Sequence, residues 1–560
     1  MYNRHKSVDL PVAMKFLNDR FKKSWEFVQK YEFLIPLALG LVFFRLTLIQ
    51  VSWGLPDIWN PDELIDRVVH ALQGRWVFDQ INFDYPSLPK YAMFWLGKLL
   101  LNWGFSYEQV IYYARVLSIL LGSFTVILTY RIARLIGAAI LPSAFAALLL
   151  IANSELSINA RFAHNDIYLT FFVTLVVFAV VKYSLASRRQ WIYLAGLFSG
   201  FAASSKYNGA TILLLPVLYF VYLEWREKRT LKWNVAKPLL VICVLSGVGY
   251  AIGTPRSVLV PIFYFENLLP ALANHPIRAR GPDSLVGLLG QWGAINRSIG
   301  APIFLLFLVS ALGLLWYFLR RAHREAKGPS IELESVAILF VAMIAFDLPI
   351  LVSYYYPYRL FMPLYPLMAV ASAAFLHLFS PRLFPVRQPV AKTLSVIVLL
   401  LVFSLSMLRV AGIVLLLKND PRYNATQLLL TLPKGKLEYT LYPPNIPREN
   451  FFSATAYPIR ISKFLLAGEA ADTQHGFNLG SAGVEVRQPD YLIVDSFTYN
   501  VFNDALACEN YAAECAFFDS LLAGRSAYEQ IGSFSYELPW YIPEQQASFL
   551  NPVILVFQRE

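Results

Sequence analysis

Cysteine and charged residues are both scarce in this chain of 560 residues. Three cysteines are too few for a disulfide-rich scaffold. Charged residues make up 15% of the sequence and hydrophobic residues 57%, whereas soluble domains carry about 25% charged residues. Together with a mean hydropathy of +0.49, these figures exclude a cytosolic enzyme and a disordered regulator. The composition is that of a polytopic membrane protein.

Three further patterns are missing. We find no glycine-rich loop of the kind that cradles nucleotide phosphates, no fixed-period repeat and no signal peptide. Residues 1–30 are polar and basic, and we expect them to form a cytoplasmic leader. The net charge of +11 is typical of basic cytoplasmic loops in a membrane protein, so we expect no nucleic-acid partner.

Long apolar runs predict about eleven transmembrane helices. The loops that would face inward are all basic, as the positive-inside rule requires, so the N-terminus is predicted to be cytoplasmic. The fifth and sixth spans are short and are separated by a polar break at 204–209, which would put Lys206 near the outer surface. The spans are predicted near 33–52, 111–130, 138–153, 166–184, 191–205, 207–223, 236–253, 301–319, 334–352, 360–379 and 393–412.

Two segments outside these spans have compositions of their own. The first outer loop, 53–110, combines apolar and charged residues with Trp53, Trp59, Trp76, Trp95 and Trp103, which is typical of helices lying in the membrane interface. It belongs to a transmembrane domain predicted over 31–417. Residues 418–560 carry proline-rich turns and strand-like runs at 491–495 and 553–557, and they predict a small extracytoplasmic α/β domain. Its two cysteines, Cys508 and Cys515, are expected to pair in an oxidising compartment.

The first candidate site follows the first span, where Asn60, Pro61, Asp62 and Glu63 are consecutive. One interpretation is an ordinary helix start, with Asn60 as N-cap, Pro61 at the first position and Glu63 in a capping box. A capping box does not need a second acid, so Asp62 is the candidate for chemistry.

The second candidate comprises Arg161, His164 and Asp166, at the outer end of the fourth span. Asn165 or Asp166 could simply cap the helix that follows. However, ionisable residues at the membrane boundary often line functional cavities, and these three lie on the face predicted for Asp62.

Isolated cations form the third candidate. Lys206 interrupts a long apolar stretch, and its side chain either snorkels to the interface or binds an anion. Arg256 in the next outer loop, with Tyr358 and Arg359 before the tenth span, could assist it. Carboxylates and cations would then meet on the outer face of the bundle, which suits a reaction that removes a proton and releases an anion.

These motifs resemble the C-type (GT-C) membrane glycosyltransferase superfamily. The resemblance rests on Pro61-Asp62-Glu63, the segment from Arg161 to Asp166, the Ser-Lys-Tyr-Asn-Gly run at Lys206 and the run 358–366, and it covers about 30–412. Within the superfamily, the sequence is most similar to family 39, which includes protein O-mannosyltransferases and aminoarabinose transferases. The latter carry a Lys-Pro-Pro-like stretch where this chain has a different sequence at 84–90, which argues against aminoarabinose as the sugar.

The resemblance implies a GT-C fold and a transferase that moves a sugar from a polyprenyl-phosphate donor to an acceptor hydroxyl outside the cytoplasm, with inversion. Asp62 would be the catalytic base, and Asp166, also assigned as catalytic, would be the second acidic site, while Lys206 would hold the lipid phosphate. Glu63, Arg161, His164, Arg256, Tyr358 and Arg359 are assigned to substrate binding. The acceptor could be a protein, a lipid or a glycan.

No cofactor is expected. A divalent metal held by Asp62, His164 and Asp166 stays open, although the ligand spacing does not favour it. The alternative function is a lipid or solute transporter, because broken helices with nearby charges also mark transport sites. A transporter should place those charges near the bilayer midplane, whereas this sequence places them at the outer rim.

Overall fold

A computed structural model of the chain describes most of its length. The described residues are 29–75, 85–228, 235–274, 284–322, 333–351, 358–383, 389–456, 482–503, 505–510, 512–544 and 549–560.

The described residues up to 431 are mainly helical, with apolar runs forming the longer helices. Two 3₁₀ segments, Tyr207–Leu213 and Tyr358–Phe361, interrupt the pattern. The α-helices are α1 (Leu34–Leu48), α2 (Ile65–Leu72), α3 (Leu88–Asn102), α4 (Tyr107–Leu135), α5 (Ile140–Ile151), α6 (Ser154–Ala160), α7 (Asn165–Ala186), α8 (Arg189–Ser205), α9 (Leu214–Lys228), α10 (Ala236–Gly253), α11 (Arg256–Leu259), α12 (Pro261–Asn274), α13 (Ser284–Ile299), α14 (Ala301–Ala322), α15 (Leu333–Leu351), α16 (Leu364–Leu383), α17 (Pro389–Lys418) and α18 (Pro421–Thr431).

Each of the eleven predicted spans coincides with helical structure, and the helical membrane architecture is confirmed. The number of spans is not confirmed. Among the described residues, six helical segments are long and apolar enough to cross a membrane, or seven if α5 and α6, which are bent by 60°, form one span. Eleven therefore stays a prediction. In the first outer loop, α2 and α3 supply the expected helices.

Helices α8 and α10 approach each other closely. A Cβ atom built on Gly200 would lie 2.0 Å from the carbonyl oxygen of Ser246, so only glycine allows this separation. Small residues commonly permit such contacts between membrane helices. The contact fixes α8, whose last residue directly precedes Lys206.

The C-terminal region contains the predicted sheet. Its five strands lie in the order β2-β1-β3-β5-β4; β1 is parallel to β2 and β3, whereas β5 is antiparallel to β3 and β4. Short helices follow β2 and β3, and the Cys508–Cys515 disulfide that joins two of them is confirmed. The elements are β1 (Gly435–Tyr439), β2 (Phe451–Ala456), α19 (Ala482–Arg487), β3 (Tyr491–Asp495), α20 (Ser496–Tyr499), a 3₁₀ turn (Asn500–Asn503), α21 (Ala505–Asn510), α22 (Ala512–Leu522), β4 (Tyr528–Phe534) and β5 (Ile554–Arg559).

Aromatic residues of the first outer loop attach it to the C-terminal region. Trp53 and Trp59 are buried, and the guanidinium of Arg422 lies 5.0 Å and 4.4 Å from their ring centroids. The indole nitrogen of Trp53 donates to Asp420 at 3.1 Å. The prediction that these two tryptophans lie in the membrane interface is therefore wrong, whereas Trp95 and Trp103 are exposed. Trp76 lies outside the described residues.

Candidate active site

Asp62 lies in a turn before α2. Its backbone N–H donates to the side-chain oxygen of Asn60 at 3.0 Å, and α2 begins only at Ile65. The prediction of a helix starting at Pro61 is wrong, because the Asn60 side chain closes a local turn instead of capping a helix. This turn leaves the Asp62 side chain 27% exposed.

Glu63 points in the other direction, into the protein. Its carboxylate accepts two hydrogen bonds from Arg115, at 3.0 and 2.7 Å, and one from the backbone N–H of Ala163 at 2.9 Å. Arg115 also donates to the carbonyls of Val51 and Trp53. The capping-box interpretation of Glu63 is therefore wrong, and its geometry favours a structural role over substrate binding. The Glu63 carboxylate joins the first outer loop to the segment that precedes Asp166.

Arg161 also has a structural role. Its guanidinium is buried and donates to the carbonyls of Leu46 and Ile49, at the end of α1, and to that of Ser157. These bonds satisfy carbonyl groups that a helix C-terminus leaves without partners. The geometry therefore does not favour the expected substrate-binding role.

His164 is the N-cap of α7, and Asp166 occupies the first helical turn. The expectation that Asn165 or Asp166 would be the cap is wrong. His164 Nδ1 lies 2.9 Å from Asp166 Oδ2. Burial lowers the pKa of His164 although Asp166 opposes this effect, and as the N-cap its Nδ1 accepts a hydrogen bond from the backbone N–H of Asp166 at 3.3 Å. Asp166 itself is fully buried.

Four charged side chains are linked to one another by ion pairs. Lys206 Nζ donates to Asp166 Oδ1 at 2.7 Å, Arg359 Nε lies 3.5 Å from Asp166 Oδ2, and Arg359 also pairs with Asp62. We call Asp62, Asp166, Lys206 and Arg359 the charge cluster. The structure thus brings together residues from the first, second and third sequence candidates. Two carboxylates and two cations make the cluster formally neutral.

The members of the charge cluster differ in exposure. Asp166 is inaccessible, whereas Lys206, Arg359 and Asp62 keep 13%, 17% and 27% of their side-chain surface. Burial disfavours the charged form of Arg359, but Asp166 and Asp62 outweigh this effect and hold its pKa above the ordinary value. Arg359 therefore stays a cation. A reactant can reach one carboxylate and two cations of the cluster.

Tyr85 and Glu155 are site residues that sequence reasoning missed. The ring of Tyr85 lies 5.9 Å from Lys206 Nζ and 6.1 Å from the His164 ring, and burial raises the pKa of Tyr85 to about 12. Glu155 interacts electrostatically with Arg359 and Asp166, and it accepts a hydrogen bond from Asn159 at 2.8 Å. No spacing rule joins either residue to the motifs, since chain folding alone brings them there.

The two remaining predicted residues, Arg256 and Tyr358, each begin a short helical segment. Arg256 begins α11 and Tyr358 begins the 3₁₀ turn that carries Arg359, and the ion pairs given above do not bring either to Asp166. Within the described ranges, no group of three or more His, Cys, Asp or Glu side chains is arranged to hold a metal ion.

Part of this helical region has a counterpart among known families. Residues 71–266 match the family model described as dolichyl-phosphate-mannose-protein mannosyltransferase. The match includes Asp166 and Lys206, and it confirms the family resemblance drawn from the motifs. Asp62 and Arg359 lie on either side of the matched segment.

Two curated proteins are similar over shorter stretches. An uncharacterized protein of Aquifex aeolicus is 27% identical over 262 residues, which cover 46% of this chain and 47% of that protein. A polyprenol-phosphate-mannose–protein mannosyltransferase of Corynebacterium glutamicum is 24% identical over 195 residues, which cover 30% of this chain and 34% of that protein. The matches thus span half or less of each relative.

A solved structure also aligns with the chain. ArnT from Cupriavidus metallidurans, crystallised with undecaprenyl phosphate, is 16% identical with a TM-score of 0.46. The alignment covers 93% of this chain and 97% of ArnT.

Proposed function

We propose that this protein is a membrane glycosyltransferase that moves a sugar from a polyprenyl-phosphate donor to an acceptor hydroxyl on the extracytoplasmic side. The observation that carries the proposal is the charge cluster, in which an accessible carboxylate lies beside two accessible cations. The family match supports the same chemistry.

Asp62 is the proposed base. The acceptor oxygen bonds to the sugar C1 while the bond from C1 to the phosphate oxygen breaks, and Asp62 takes the hydroxyl proton. The electron pair of the broken bond stays on the phosphate. In an oxocarbenium-like transition state the proton leaves late, so a single carboxylate suffices. Because Asp166 is inaccessible, only Asp62 in the cluster is available, and one displacement gives inversion.

Lys206 and Arg359 are proposed to bind the donor phosphate. A sugar phosphodiester carries one negative charge, and the released monoester carries more, so fixed cations stabilise the transition state more than the ground state. Asp166 holds both cations in position through its contacts at 2.7 and 3.5 Å. We therefore assign Asp166 to orienting them.

An apolar hollow in the helical region supports a lipid-linked donor. It has a volume of about 350 Å³ and lies on the segment that follows Lys206. Its lining is almost wholly aliphatic, which suits an isoprenoid chain better than a nucleotide. The lining residues are Ala210, Thr211, Leu213, Leu214 and Val217.

The position of the charges favours the transferase over the transporter. Asp166 is the second residue of α7, and Lys206 follows the last residue of α8. Charges at helix ends lie toward a membrane surface, whereas transport sites in broken helices lie near the midplane.

A transfer assay with purified protein and a panel of polyprenyl-phosphate sugars tests the proposal. Asp62→Asn should bind donor normally and lose most turnover. Lys206→Ala should raise the donor KM and slow lipid phosphate release, since one lost contact to developing charge costs about 3 to 4 kcal/mol. Lys206→Arg should restore only part of the rate, because the planar guanidinium of arginine does not replace the compact ammonium group of lysine.

Matched controls separate site effects from general charge effects. Asp66→Asn removes an exposed acid in the adjoining helix α2, and Lys98→Ala removes an exposed lysine from α3. Both controls should keep wild-type kinetics. Full activity in Asp62→Asn would reject the base assignment, and release of no lipid phosphate by the wild type would reject the transferase.

A further inference from the structure

A second cavity lies between the first outer loop and the C-terminal region. Its volume is about 180 Å³, which equals the share of about six water molecules in the liquid. A group the size of one sugar ring fits such a space. The lining residues are Asp57, Ile58, Trp59, Pro61, Arg422, Tyr439, Leu441, Tyr442, Pro443, Pro444, Ile446 and Arg448. We call it the loop cavity.

The wall of the loop cavity combines aromatic rings with polar groups. Trp59 contributes a ring from the first outer loop, and Tyr439 and Tyr442 contribute rings from the C-terminal region. Among the described residues, neither Nε1 of Trp59 nor Nη1 of Arg422 has a hydrogen-bond partner, although both atoms are buried. Buried donors without partners are unfavourable, and these two belong to residues that line the cavity.

The charges of the loop cavity cancel in pairs. Arg422 is held by both oxygens of Asp420, at 2.9 and 2.8 Å. Arg448 and Asp57 act on each other, because burial raises the pKa of Asp57 while Arg448 opposes the shift. The cavity therefore offers no excess positive charge to a phosphate. Aromatic faces with a few polar groups favour a neutral ring carrying hydroxyls.

The loop cavity adjoins the proposed base. Pro61 belongs to its wall and Asp62 is the next residue, and consecutive Cα atoms are about 3.8 Å apart. Asn445 fixes the two sides to each other by donating to the carbonyl of Leu55 at 3.1 Å. A sugar in the cavity would thus contact the residue that directly precedes the proposed base.

We propose that the loop cavity binds a neutral sugar ring of the acceptor, so that the transferase glycosylates a glycan. The inference rests on the proposed function, because only a transferase has an acceptor. It assigns acceptor recognition to the C-terminal region, which supplies Tyr439, Tyr442 and Arg448 from β1 and the segment after it.

Binding without donor tests the inference separately from catalysis. Saturation-transfer NMR on the full-length protein in nanodiscs would use methyl α-D-mannopyranoside and methyl β-D-glucopyranoside as probes. Wild type and Asp62→Asn should both bind at least one glycoside. Tyr442→Leu and Asp57→Asn, on opposite sides of the cavity, should each weaken binding about tenfold, as expected for one lost ring or charge contact. The same variants should raise the acceptor KM more than they lower kcat.

Tyr541→Leu provides the matched control, because Tyr541 is 56% exposed and does not line the cavity. It should bind the glycosides as the wild type does, and thermal unfolding of every variant checks that it is folded. The inference fails if the wild type binds neither glycoside, or if Tyr442→Leu and Asp57→Asn bind them unchanged. It also fails if a serine-containing peptide shows the expected dependence on these variants instead, which would leave the transferase proposal intact.

Discussion

Asp62 and Glu63 are neighbours in sequence, yet their carboxylates have opposite surroundings. Asp62 is 27% exposed and pairs with Arg359, whereas Glu63 is inaccessible and engages Arg115. The turn closed by the Asn60 side chain lets the two carboxylates point in different directions. One carboxylate can therefore react while the other keeps the loop in place.

Glu63→Gln is expected to destabilise the protein strongly. It would leave the Arg115 guanidinium buried without its counter-charge, and breaking a buried pair by removing one partner costs about 3 to 5 kcal/mol. The measurement is thermal unfolding in detergent. Glu32→Gln is the control, since the pair of Glu32 with Arg134 keeps 23% and 30% of its side-chain surface exposed and solvent screening makes such a pair contribute less than a fully buried one. Equal losses in the two variants would contradict the structural role of Glu63.

The sequence predicted the identity of the charge cluster better than the roles of its neighbours. Asp62, Asp166, Lys206 and Arg359 stand out because charges in apolar surroundings need a reason. The partners of Glu63 could not be predicted, because Arg115 is 52 positions away and no local pattern joins them.

At the scale of elements, the break between α8 and α9 positions Lys206. Lys206 is extended, with φ −155° and ψ 138°, and its N–H still donates to Ala202 at 3.1 Å. The N–H of Gly209 then donates to the Lys206 carbonyl at 2.8 Å. The lysine side chain therefore leaves the helix at a defined angle.

Gly209→Ala is expected to disturb this break. A Cβ atom on Gly209 would lie 2.4 Å from the Ala202 carbonyl oxygen, and relief of such overpacking costs about 1 to 3 kcal/mol. Thermal unfolding should shift downward, and the donor KM should rise because Lys206 moves. Gly247→Ala is the control, since a Cβ there meets no atom within 4 Å and alanine favours the helix. If Gly247→Ala had the larger effect, the break would not depend on Gly209.

Sequence patterns were informative for the elements but not for their ends. Apolar runs predicted the positions of the helices, and the polar residues at 204–209 predicted the break between α8 and α9. The start of α2 was predicted too early, since Asn and Pro favour turns and helix starts alike and only the later contacts of Leu64 and Glu63 decide between them.

For the whole molecule, the predicted topology places the sheet region outside the cell membrane. Among the described residues, Cys243 is the only free cysteine, so Cys243→Ser gives a background for labelling. In it, Lys434→Cys should react with an impermeant maleimide in intact cells, and Arg188→Cys should react only after lysis. Both positions are exposed. The reverse labelling pattern would invert the topology.

The sequence also separated the two regions without showing how they join. Composition shifts after residue 418, and the strand at 491–495 was predicted with its observed limits. The contact of Trp53 and Trp59 with Arg422 could not be predicted, because tryptophans near a span equally favour the membrane interface. Only the fold shows that an arginine of the distant C-terminal region covers them.

Arg359 has a consequence for biosynthesis. Asp62 and Asp166 leave the ribosome long before Arg359 does, and they remain without this bridging cation until the later helices have been inserted. A truncated or stalled chain therefore holds both acids but lacks the completed charge cluster. Catalytic competence would then arise in a single late step, so incomplete chains in the membrane would not consume the lipid-linked sugar.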